Sequence, residues 1–95
     1  MTLVEFKQSV QQSAPPSTLS ILLLALWHDA KGQWDTAHQL AQEVETSQGC
    51  WIHAYLHRKE GDLGNAAYWY HKAKQPVCNK RLAEEWEEIV IALLR

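Results

Sequence analysis

Leu3, Phe6 and Val10 recur at the spacing of one helix face before Ala14-Pro15-Pro16 breaks the run, which predicts a short first helix. A nearly all-apolar second helix, capped by Ser17 or Thr18, runs to Lys31 and stops at Gly32, the residue type that ends helices in a left-handed conformation. A helix apolar on every side has to be central. Trp34, Ala37, Leu40, Ala41 and Val44 form the stripe of a third helix that fades between Ser47 and Gly49. A fourth spans Cys50 to Glu60 and stops at Gly61, and a fifth carries Leu63, Ala66, Tyr70 and Ala73 until Pro76 ends it. The sixth starts near Asn79 and gathers Leu82, Trp86, Ile89, Val90, Leu93 and Leu94 on one face. Its early glutamates suit the helix dipole and read as a solvated face.

The stop glycines Gly32 and Gly61 stand 29 residues apart, and sliding the chain by that offset lays Ala25 on Ala54, His28 on His57 and Ala37 on Ala66. Helices two and three therefore repeat as four and five. A further step lays Ala54 on Ala83 and His57 on Trp86, so helix six reads as the first helix of a third, truncated repeat. The expected architecture is one all-α domain over residues 1–95, built of stacked antiparallel helix pairs. An N-terminal cap helix (1–16) and a C-terminal cap helix (78–95) flank two repeats (17–48 and 49–77).

The stretch Glu60-Gly61-Asp62-Leu63-Gly64-Asn65-Ala66-Ala67-Tyr68-Trp69-Tyr70-His71-Lys72-Ala73 resembles the second helix of a tetratricopeptide repeat, with turn glycine, small alanine, aromatic and closing alanine in order. The resemblance covers roughly residues 20–76, with a shorter period than the roughly 34 residues of that family. It implies stacked helix pairs that offer a concave surface to a peptide or protein. The segments from Trp27 to Asp35 and from His53 to Asp62 also look like those of small bacterial single-domain proteins, a likeness that brings no activity with it.

Composition narrows the choice mainly by exclusion. Ninety-five residues with 46% apolar and 21% charged side chains fit one ordinary globular domain and argue against disorder. The longest apolar run, Ile21 to Trp27, is far short of the roughly 18 residues of a spanning helix, so no membrane association is expected. With no leader pattern and with Cys50 and Cys78 unpaired by any motif, the chain reads as cytoplasmic. Residues 53–81 hold six basic side chains against two acidic ones, between acidic ends. That pattern suits internal pairing or a modest anion site and argues against a nucleic-acid partner.

Candidate chemistry falls on helix four. His53 and His57 are one turn apart on the arc that also holds Cys50 and Ala54, a workable pair of zinc ligands that His28 or Cys50 could complete. No glutamate follows the first histidine, so no metalloprotease motif is present. The competing reading makes these histidines packed and hydrogen-bonded, and no metal or cofactor is then expected. Asp29, Arg58 and Glu87 occupy one position in successive repeats, as a structural ladder or as the floor of a surface that also shows Trp51 and Tyr55. No catalytic residue is assigned. The leading expectation is a non-enzymatic protein- or peptide-interaction module binding through Asp29, Trp51, Tyr55 and Arg58. The alternative is a small-ligand-binding protein or hydrolase-like enzyme that uses the His/Asp/Arg cluster, with zinc as an option. Ile91 and Leu93 point to opposite sides of helix six, which makes a homodimer through the C-terminal helix a third expectation.

Overall fold

Thr2, Ser20, Thr46 and Asp62 each turn a side-chain oxygen onto a backbone N–H three residues ahead, and a helix begins directly after each. The computed structural model describes residues 1–95 as α1 (Leu3–Ser9), α2 (Ile21–Ala30), α3 (Trp34–Gln42), α4 (Ser47–Lys59), α5 (Leu63–Ala73) and α6 (Leu82–Leu94), with no strand. The fold is all-α with six helices, in agreement with the apolar spacing. Cap chemistry moves the boundaries: α2 starts after Ser20 rather than after Thr18, and α4 starts at Ser47 rather than at Cys50 because Thr46 caps it.

The 29-residue offset reappears in the stops. Gly32 and Gly61 both take positive φ, 78° and 88°. In each, the following residue sends its N–H back to a histidine carbonyl, Gln33 to His28 and Asp62 to His57, at 3.0 and 2.9 Å. A third stop of the same form closes α5, where Lys74 adopts φ 59° and Gln75 N–H reaches the Tyr70 carbonyl.

Consecutive helices from α2 to α5 pack on one another, and α4 also touches α2 and α6. The central helix is thus α4, buried continuously from Ile52 to His57, although the apolar content of α2 pointed to α2. Its polar side chains are internally paired, so burial does not require an apolar sequence. The two cap segments do not lie at opposite ends of a stack. Instead α1 packs on α6, and α6 returns across α2 and α4, with Phe6 tilted against Trp86 at 5.7 Å. In the main core Phe6, Leu26, Ile52, Leu56, Ile89 and Val90 are fully buried together, and a smaller cluster of Ala54, Ala66 and Tyr70 joins α4 to α5. No helix is long and apolar enough to cross a membrane.

Candidate metal centre

The core-facing positions of α3 are small: Ala37 and Ala41 are at most 1% exposed and pack in one cluster with Ile52 and Leu56 of α4. That brings close together the histidines set beside them. His38 sits on α3 one turn after Trp34, and His53 and His57 sit one turn apart on α4. Nε2 of His38 lies 2.9 Å from Nε2 of His53. The His53 and His57 rings lie 4.8 Å apart, His38 and His57 5.2 Å. One ring nitrogen from each of the three lies within 4.8 Å of the other two.

Two indoles hold the cluster. Trp34 stacks on His38 at 4.9 Å with a 9° interplanar angle, and its Nε1–H donates to the Leu56 carbonyl at 2.8 Å, which pins α3 to α4. Trp69 of α5 stacks on His53 at 3.9 Å. His57 places Nδ1 2.7 Å from the Glu60 carboxylate, so Nδ1 donates to Glu60 and Nε2 is the nitrogen left for other partners. Asn65 brings its amide nitrogen to 3.5 Å from that Nε2. Burial, then the neighbouring His38, His57 and Lys72, pushes His53 down to about 4. His38 is lowered too, by burial first and by His57 next. His38 and His53 are therefore neutral near pH 7, in the state that binds metals.

The other candidate residues lie elsewhere. His28 stays outside this cluster and places Nδ1 2.6 Å from the Gln33 side chain. Asp29 is buried and accepts from Tyr55 Oη at 2.7 Å and Lys59 Nζ at 2.8 Å; burial and that carboxylate push the Tyr55 phenol far above its ordinary range. Trp51 Nε1 and Arg58 Nε both donate, at 3.1 Å, to Glu85, which also accepts from Tyr70 Oη. Asp29 and Tyr55 thus meet each other, while Trp51 and Arg58 meet on Glu85. Two expectations need correction here. Glu85 is fully buried rather than part of a solvated glutamate face, because three donors converge on it. No ladder links Asp29, Arg58 and Glu87, since Glu87 pairs with Lys7 at 2.9 Å and Asp29 with Lys59.

A cleft of about 310 Å³ opens beside the histidines, between the end of α3, the start of α4 and α5. His53 and Trp69 form part of its wall, with Cys50, Glu45 and Lys72. No protein-family model, curated protein or solved structure matches the chain.

His38 and Glu60 are the cluster members that repeat-based reasoning passes over. The signal for His38 is present in the sequence: Trp34, His38 and Ala41 share one stripe of α3, the stripe that meets α4. The 29-residue offset conceals it, because the equivalent position in the next repeat is Ala67.

Proposed function

We propose that this chain is a metal-binding helical protein that holds one divalent transition-metal ion of the zinc class on His38, His53 and His57. The reading is carried by the convergence of three ring nitrogens within 4.8 Å of one another. Imidazole nitrogens suit zinc, copper, nickel and iron. Zinc–nitrogen bonds of about 2.0–2.1 Å put tetrahedral ligand atoms roughly 3.3 Å apart. The observed 2.9 Å pair has to open slightly and the third nitrogen to close in, both within reach of side-chain rotation. When the ion enters, the ring that carries the proton between His38 and His53 moves it to its own Nδ1, so both rings stay neutral and both Nε2 atoms are freed for the metal. Glu60, on the far nitrogen of His57, plays the orienting part that a carboxylate plays behind a metal-bound histidine. Three protein ligands leave a fourth position for water or another molecule, the donor count of an open site rather than a sealed structural one.

Elemental analysis of protein purified without a histidine tag, followed by zinc and cobalt titration, tests the proposal. One ion per chain is expected. His38→Gln and His53→Gln each should lower affinity at least tenfold while the helical circular dichroism stays. Absence of stoichiometric binding by zinc, cobalt, nickel and copper would remove it.

A second reading, as an interaction module, has one observation in its favour. Shallow clefts sharing walls run along α4, the 74–81 connection and α6, lined by Trp51, Arg58, Leu63, Val77 and Ile91. Leu63 and Val77 are 66% and 55% exposed there. A peptide, or a second copy through α6, would cover this surface. Light scattering that gives a dimer mass, reduced to a monomer by Ile91→Lys, supports the homodimer form; a monomer mass unchanged by that variant eliminates it.

A further inference from the structure

The cleft beside the histidines is small, and its walls supply groups of unlike character. At about 310 Å³ it stands at the low end of the small-molecule range, far below the space a folded partner needs. It reaches the histidine cluster, because His53 is both a member of that cluster and part of the cleft wall. On the wall beside His53, Trp69 presents its ring, and the Lys72 ammonium lies 5.0 Å from the centre of that ring. The same indole therefore holds His53 by stacking and Lys72 by attraction of a cation to the ring. Among the lining residues the charged side chains are Lys72 and Glu45, which offset each other. The charge of the cleft is then decided by what the histidines hold. A divalent ion there is the largest local charge and makes the cleft cationic.

Resting on the metal-binding reading, we infer that the cleft takes a small oxyanion, the carboxylate or phosphate end of a low-molecular-weight compound, with one oxygen on the fourth metal position and Lys72 facing the rest. Three features support that class. Three neutral imidazoles leave the ion's full positive charge in place, so an anionic fourth ligand is favoured over a neutral one. Lys72, exposed on the cleft wall, supplies a second positive charge and lies against the Trp69 and Tyr68 rings. Thr46 and Ser47 at the start of α4 and Gln42 at the end of α3 add polar walls suited to a hydrophilic ligand.

Cobalt-loaded protein offers a direct readout, since the visible absorption of a four-coordinate cobalt ion changes when its fourth ligand is exchanged. Titration with acetate and, separately, with inorganic phosphate should give a saturable spectral change with at least one of them. A response to acetate alone assigns the carboxylate class, and a response to phosphate alone assigns the phosphate class. Lys72→Gln should weaken that anion at least tenfold while the variant keeps its cobalt. Lys74→Gln, outside the cleft wall, should leave the anion affinity as it was. An unchanged cobalt spectrum with both anions overturns the inference and leaves the metal site standing, as does an anion affinity indifferent to Lys72→Gln. Failure to bind cobalt, zinc, nickel and copper alike overturns the metal-binding reading and this one together.

Discussion

A histidine that stays neutral inside the fold, yet is free to take a proton once unfolded, makes stability depend on acid. His53 is held neutral down to about 4 by burial and by His38, His57 and Lys72, whereas an unfolded histidine titrates near 6.5. The lowered value favours the unfolded chain as pH falls, because that chain binds the proton first. Stability from this group is whole above about 6.5 and is lost progressively toward 4. The loss is on the order of 1–3 kcal/mol once partial solvent contact is allowed for. In chelator-treated protein, urea midpoints taken at pH 7 and pH 4.5 should therefore differ more for the wild type than for His53→Gln. Equal differences would show that His53 does not govern the acid response. The residue-scale chemistry is only half legible in the sequence. The turn between His53 and His57 announces itself, but the third ring, His38, comes from a position whose repeat equivalent is Ala67.

At the scale of elements, the turn between α3 and α4 depends on a missing side chain. A methyl group on Gly49 would stand 2.0 Å from the Val44 backbone oxygen, a contact that neither partner can relieve by rotating a side chain. Gly49→Ala should cost about 2–3 kcal/mol, a fall in melting temperature of roughly 10 °C or more. Gly64→Ala is the matched control, with open space around the new methyl and up to about 1 kcal/mol gained from helix propensity. A thermal scan in which the two variants melt alike would contradict the crowding at Gly49. Helix existence reads well from the chain because each stripe and each stop glycine is local information. The fate of Glu85 does not. Its neighbours along α6 look like a solvated acidic row, and only the tertiary approach of Trp51, Arg58 and Tyr70 explains why this one carboxylate is buried. Removing it, as in Glu85→Ala, strands a partly buried guanidinium, a change that typically costs 3–5 kcal/mol.

For the whole molecule, the decisive feature is that the first and last helices meet, which the repeat pattern does not foretell. Periodicity reports which face of α1 is apolar and says nothing about which partner covers it. Lys7 of α1 bonds Glu87 of α6 across 80 positions of chain, and Phe6 is fully buried against Trp86. With seven residues and α6 as the one helix it packs on, α1 has little to hold it alone. Its docking surface does not exist until the far end of the chain has been made and folded over α2 and α4, and joining the two closes a long loop at an entropic cost. Order of assembly follows from this. α1 leaves the ribosome before α6, the helix that seats it, and with so few contacts it is expected to be the piece of the finished protein that lets go first. Hydrogen exchange should register that as faster amide turnover from Leu3 to Ser9 than from Ile52 to His57, with Phe6→Ala widening the gap. Protection in α1 equal to that of α4 would mean that the closing contact forms early and that the molecule opens only as a unit.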